Sequence, residues 1–152
     1  MENILIRKAG IPDIDALVSL RKAQLKQEGA EDGRDISNSL RGFFRAHLKD
    51  GTYLSWVALL GDEIVAVSGV TFYQIPPYYQ LETGHIGEVA SVYTREGYRR
   101  KGIASALLRK VFEEAKRRGV TTLRVSASRE GRFLYESLGF CRQGNMFVYQ
   151  VR

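Results

Sequence analysis

The sequence predicts a mixed α/β fold, with a central mixed sheet of six to seven strands and about four helices on its two faces. Three observations carry that expectation. Apolar residues recur at helical spacing in two early segments and one long later one. Between and after them lie runs rich in Val, Ile, Tyr and Thr, bounded by Gly, Pro and Asp. The two kinds of segment follow the order β-α-α-β-β-β-α-β-α-β-β, which is a layered sheet-and-helix arrangement.

Leu5 to Lys8 reads as a short first strand. Pro12 and Asp13 mark a helix start, since proline suits the first helical turn, and Ile14, Leu17, Val18, Arg21 and Leu25 follow at helical spacing. The acidic, glycine-containing stretch from Gln27 to Gly33 is a loop. Ser37 is read as the N-cap of a second helix, with Leu40, Phe43, Phe44 and Leu48 on one face and Gly51 just past its end. Tyr53 to Leu60 and Ile64 to Tyr73 are strands joined by a hairpin turn at Gly61-Asp62. Pro76 and Pro77 end the second, and a Tyr-rich loop leads through Gly84 to a strand from Ile86 to Thr94.

The longest helix runs from Gly102 to Arg118, about 17 residues or roughly 25 Å. Its apolar face is Ile103, Leu107, Val111, Phe112 and Ala115; Lys116, Arg117 and Arg118 complement its C-terminal dipole, and Gly119 caps it. Thr122 to Ala127 is a buried-type strand, and Arg132 to Leu138 a short helix capped by Gly139. Phe140 to Gln143 and Met146 to Val151 are expected to close the chain as a hairpin over Gly144-Asn145.

The length of 152 residues is that of one domain, 1–152, able to bury roughly 70% of its unfolded surface. The lone Cys141 points to a reducing compartment. Met1-Glu2-Asn3-Ile4 opens no secretory signal, and no apolar run approaches the roughly 18 residues of a membrane span. A bacterial-type cytoplasm is therefore expected. The net charge of +6 favours anionic partners: nucleic acid, anionic lipid and a polyphosphate cofactor all suit it. Placement is more informative. Arg95, Arg99, Arg100 and Lys101 crowd around a glycine, whereas Glu28, Glu31, Asp32 and Asp35 form an acidic loop that either attracts a cationic amine or is merely solvated.

Chemistry concentrates between Val92 and Ala104, where a strand runs into a basic loop and a strong helix begins at a glycine. The first turn of a helix has unmatched N–H groups and the positive end of the dipole, which together attract anions. Gly102 and Ala104 leave room for a phosphate against the backbone, so the segment reads as a diphosphate cradle. The plainer alternative is a helix whose small residues permit tight packing. His47 and His85 have no Cys or carboxylate at ligand spacing, so no metal is expected.

Arg99-Arg100-Lys101-Gly102-Ile103-Ala104 matches the pyrophosphate signature Gln/Arg-x-x-Gly-x-Gly/Ala of the GNAT superfamily of N-acetyltransferases. Leu134-Tyr135-Glu136-Ser137-Leu138-Gly139-Phe140 is similar to that family's Leu-Tyr-Glu-x-x-Gly-Phe stretch. The separation of the two segments and the element order along nearly the whole chain also resemble the family's. The resemblance implies acetyl-CoA as co-substrate, no metal, and direct acetyl transfer to a primary amine of a small-molecule or peptide acceptor. No nucleic acid or membrane partner is expected, and a homodimer is compatible with it. A non-catalytic acyl-CoA-binding or regulatory domain is the alternative.

Roles follow from the resemblance position by position. Arg99 and the backbone amides of Arg100, Lys101, Gly102, Ile103, Ala104 and Ser105 would hold the pyrophosphate. Val92, Tyr93 and Thr94 would pair with the pantetheine arm, and an N–H near Val92 or Tyr93 would stabilise an oxyanion. Tyr135 would protonate the departing thiolate, its other reading being a core aromatic. Glu88, eleven residues before Arg99, would be the general base, if burial among Ile86, Val89 and Ala90 makes it basic enough, and otherwise is a solvated carboxylate. Two departures stand out. Ser128, which would still hydrogen-bond a pantetheine amide, and Gly131 occupy positions where the family often has Asn and Ala, and Thr94-Arg95-Glu96-Gly97 lacks the usual proline.

Overall fold

The computed structural model describes residues 3–144, 147 and 149–151. Strand β1 (Ile4–Lys8) is followed by a single 3-10 turn (Ile11–Asp13), then α1 (Ile14–Gln27), α2 (Ser37–Asp50), β2 (Tyr53–Leu60), β3 (Glu63–Gln74), β4 (His85–Thr94), α3 (Ile103–Arg117), β5 (Leu123–Val125) and α4 (Arg132–Ser137). The strands form one sheet in the order β1-β2-β3-β4-β5. The first four are antiparallel, and β5 joins β4 in parallel, which makes the sheet mixed as expected.

The period-2 alternation of β2 explains the layering. Leu54, Trp56 and Ala58 pack on α3 residues Leu107, Leu108 and Val111, whereas Tyr53, Val57 and Leu59 pack on the opposite face with Ile14, Leu17 and Leu20 of α1 and Phe44 of α2. With both faces covered, buried polar groups need partners. Ser55 Oγ donates to the Ser68 carbonyl at 2.9 Å, and Ser68 Oγ reaches the Leu107 carbonyl at 3.4 Å. The Tyr53 ring, 2% exposed, lies directly over Gly69 of β3, so that a Cβ at Gly69 would fall 1.9 Å from the Tyr53 hydroxyl oxygen. Gly69→Ala is therefore expected to destabilise the fold by about 1–3 kcal/mol or more through overpacking, a loss that a urea titration will register as a lowered midpoint.

Three local expectations are corrected. Ser37 is the first residue of α2 rather than its cap, because Asp35 Oδ1 accepts from both the Ser37 N–H (3.0 Å) and its hydroxyl (2.6 Å). A carboxylate is the stronger acceptor and claims the helix start. Its hydrogen bonds to Ser37, then Lys22 beside it, pull the Asp35 carboxyl down to about 2. Strand β5 is three residues long instead of reaching from Thr122 to Ala127. It loses β4 where β4 bulges, since Ser68 of β3 stands opposite two residues, Ser91 and Val92, and Ser91 takes a left-handed φ of 60°. A bulge bends and twists its strand, here away from β5.

The sheet has five strands among the described residues rather than six to seven, because the closing hairpin is not found. The stretch 140–144 is not a strand: the Phe140 N–H donates to the Tyr135 carbonyl as part of the α4 cap, and its ring packs against Tyr135 and Phe112. Asn145 of the turn, and Met146 and Val148 of the second arm, lie outside the described residues. No described helix is long and apolar enough to cross a membrane.

Candidate active site

Strand β4 pairs with β3 over most of its length but with β5 only at Gly87, Glu88 and Val89. Beyond Val89 the two strands part, and the free edge of β4 borders a cleft of about 850 Å³. Ala90 to Thr94 line one side, and Val125, Ser126, Ser128 and Tyr135 line the other. The first turn of α3 closes one end, and Arg21, Gln24, Gln27 and Glu28 of the α1 C-terminal region form a further wall.

The α3 end has the form of an anion cradle. Gly102 takes φ +79°, and Arg100, two residues before it, φ +62°. A Cβ at Gly102 would meet nothing within 4 Å, so the backbone is open to the cleft. The helical ladder begins with the Ala106 N–H donating to the Gly102 carbonyl, which leaves the N–H groups of residues 103–105 without an intrahelical partner. Left-handed and right-handed residues in succession turn their N–H groups to a common point, a known concavity for anions. Arg99 is anchored nearby: its Nε donates to the Thr94 carbonyl (2.9 Å) and its Nη2 to Gln27 Oε1 (2.7 Å). Its guanidinium also lies 5.7 Å from the Tyr93 ring centroid.

Tyr135 enters from α4. It is 9% exposed and meets the Phe140 ring edge-on at 5.4 Å. Burial, then the charge of Glu28, pushes its phenol up to about 12, so the hydroxyl keeps its proton at neutral pH. Gly131 has a physical reason to lack a side chain, because a Cβ there would come within 3.2 Å of both the Tyr135 ring and Ser128 Oγ. Ser128 in turn accepts from the Gly131 N–H (3.1 Å) and fixes the start of α4.

The structure thus brings Glu88, Val92, Tyr93, Thr94, Arg99, Arg100, Gly102, Ile103, Ala104, Ser105, Ser128 and Tyr135 to one cleft. Lys101 stands apart from its walls, with its ammonium 5.8 Å from the Tyr98 ring centroid. Glu88 lacks the apolar surroundings expected of it: it is exposed, and Tyr73 donates to its Oε1 at 3.3 Å. The α1 wall was not anticipated as part of the site. Its one sequence signal is a polar residue, Arg21, standing in an otherwise apolar helical stripe. The left-handed Ser91 has no signal in the sequence at all.

Comparison with known proteins shows the family and the fold. The family model described as Acetyltransferase (GNAT) family matches residues 15–140. A predicted acetyltransferase from Clostridium acetobutylicum, solved with acetyl-CoA, is 33% identical; the match covers 97% of this chain and 96% of that one, with a TM-score of 0.94. A GCN5-related N-acetyltransferase from Ralstonia eutropha JMP134 shares the fold at 23% identity and a TM-score of 0.87, over 97% of this chain and 99% of that one. The uncharacterized N-acetyltransferase YsnE of Bacillus subtilis (strain 168) is 33% identical over 90 residues, 56% of this chain and 54% of its own, so the match spans about half of that relative.

Proposed function

Because the chain belongs to the acetyltransferase (GNAT) family, we propose that it transfers an acetyl group from acetyl-CoA directly to a primary amine. One observation carries the reading: a single cleft joins an anion cradle, a free strand edge and a buried, protonated phenol. Those three parts suit the pyrophosphate, the amide-bearing arm and the thioester of acetyl-CoA in that order. Acetyl-CoA supplies the activated acyl group. The N–H groups of residues 103–105, with Arg99 and Arg100, hold the pyrophosphate, and the backbone of Val92, Tyr93 and Thr94 pairs with the pantetheine amides. The N–H of Val92 or Tyr93 donates to the thioester oxygen as it gains charge. The amine nitrogen bonds to the carbonyl carbon, the C–S bond breaks, and Tyr135 gives its proton to the sulfur. Glu88 or a water takes the proton that the amine gives up, and approximation of the two substrates contributes much of the acceleration. The free thiol of Cys141 suits a reducing cytoplasm.

The test is release of free thiol from acetyl-CoA against a panel holding an amino acid, a polyamine, an antibiotic amine and peptides with a free N-terminus or lysine. Acetylation of one class supports the reading; tight acetyl-CoA binding with no acceptor turned over would make the chain a non-catalytic binding domain. Glu88→Gln is expected to lower turnover most at low pH, where more of the amine is protonated, with acetyl-CoA affinity unchanged. A pH–rate profile reads this, and an even loss across the range would assign the proton to water.

A further inference from the structure

Apart from Gln27, which anchors Arg99, the α1 wall takes no part in holding acetyl-CoA in this mechanism. Arg21, Gln24 and Glu28 follow one another at helical spacing and all line the cleft. Gln24 is 8% exposed, and both ends of its amide are engaged: Oε1 accepts from Arg21 Nη1 at 3.1 Å, and Nε2 donates to Glu28 Oε1 at 3.2 Å. A buried amide held at both ends acts as a strut and sets the position of the Glu28 carboxylate. Glu28 is the C-terminal cap residue of α1, where the helix dipole disfavours a negative charge, so helix stability does not explain it. In the same acidic stretch Asp32 pairs with Arg34 and Asp35 with Lys22, whereas no Lys or Arg among the described residues forms an ion pair with Glu28 or Glu31, and of those two only Glu28 lines the cleft. The two other carboxylates that line the cleft accept from residues outside their own elements, Glu88 from Tyr73 and Glu130 from Gln27.

We propose that Glu28 is the binding group for the acceptor's ammonium, so that the acceptor is a cationic amine seated against α1 in the cleft that holds Tyr135. The inference rests on the acetyl-transfer reading and adds to it the charge of the acceptor and the side from which it is held. The Glu28 charge also bears on the Tyr135 phenol, whose proton it helps retain. An ammonium on Glu28 would cancel that charge, making the phenol a readier donor once the acceptor is in place.

The experiment compares Glu28→Gln and Glu28→Asp with the unaltered protein at saturating acetyl-CoA, using spermidine and a lysine-bearing peptide as cationic probes. Loss of one charge-assisted hydrogen bond should lower kcat/KM for the amine by about 10- to 100-fold. The loss should lie mainly in the amine KM, leave the acetyl-CoA KM unchanged and be partly rescued in Glu28→Asp. An unchanged amine KM in Glu28→Gln, or an equal rise in the acetyl-CoA KM, overturns the inference. If the unaltered protein acetylates neither probe, the transfer reading fails for them and Glu28 is judged by binding alone. Spermidine should then raise the melting temperature of the CoA-saturated unaltered protein and not of Glu28→Gln. An equal rise in both proteins, or none in either, overturns it.

Discussion

Gly102→Glu is expected to abolish acetyl-CoA binding while leaving the protein folded. Gly102 sits at φ +79°, a conformation that costs an ordinary L-residue about 1–2 kcal/mol, and space above it is open. A glutamate there meets the positive end of α3, and such a placement returns about 0.3–1 kcal/mol. The net effect on stability is thus small. Binding is affected far more, because the new carboxylate lies where the N–H groups of residues 103–105 would receive phosphate, adding both bulk and a like charge. Calorimetry should show no measurable acetyl-CoA binding to Gly102→Glu, with a melting temperature only a few degrees below that of the unaltered protein. Gly102→Ala serves as the control, since it carries the backbone strain without the charge and should still bind. Equal affinity in the glutamate variant would place the cradle elsewhere.

Tyr135→Phe is expected to slow turnover by about 10- to 1,000-fold, within the range that general acid catalysis supplies. The substitution keeps the ring that packs against Phe140 and deletes only the hydroxyl, so chemistry is separated from packing. Acetyl-CoA affinity and melting temperature near neutral pH should scarcely move. The phenol is held up at about 12 in the fold, against about 10 in an unfolded chain. Its contribution to stability is therefore fully present below pH 10 and is lost as pH rises through 12. The unaltered protein should lose stability across that window more steeply than Tyr135→Phe. Steady-state kinetics on an identified acceptor, beside melts at neutral and high pH, check both halves. Normal turnover would leave Tyr135 a packing residue.

Most of the fold was legible because its signals are local. The apolar stripe of α3 and the glycines at 102 and 119 located that helix to within one residue at either end. Both glycines do take a positive φ, as a residue without a side chain can. What escaped was non-local. Whether Ser37 or Asp35 claims the start of α2 is a contest between two acceptors two residues apart, and Lys22 of another helix leans on the winner. The shortening of β5 originates on a different strand, at Ser91, whose type does not announce a left-handed conformation. The α1 wall faces the site only because α1 lies over β4, and no periodicity within α1 reveals that. Phe140 closes α4 instead of opening the strand expected from the sequence, because its N–H goes to the Tyr135 carbonyl, a partner no sequence pattern announces.

Gln27 joins the two halves of the cleft in a way that bears on cooperativity. Its carbonyl oxygen receives Arg99 from the loop before α3, and its amide nitrogen donates to Glu130 from the loop after β5. Under the proposed pyrophosphate role of Arg99, that same nitrogen would exchange Gln27 for phosphate, and its share of the affinity would be the difference between two hydrogen bonds. The residue released in the exchange is the immediate neighbour of Glu28. Under the proposed role of Glu28, one peptide unit connects the two substrate sites, and linkage makes any resulting coupling mutual. Whatever factor acetyl-CoA imposes on the affinity for the amine, the amine imposes on the affinity for acetyl-CoA.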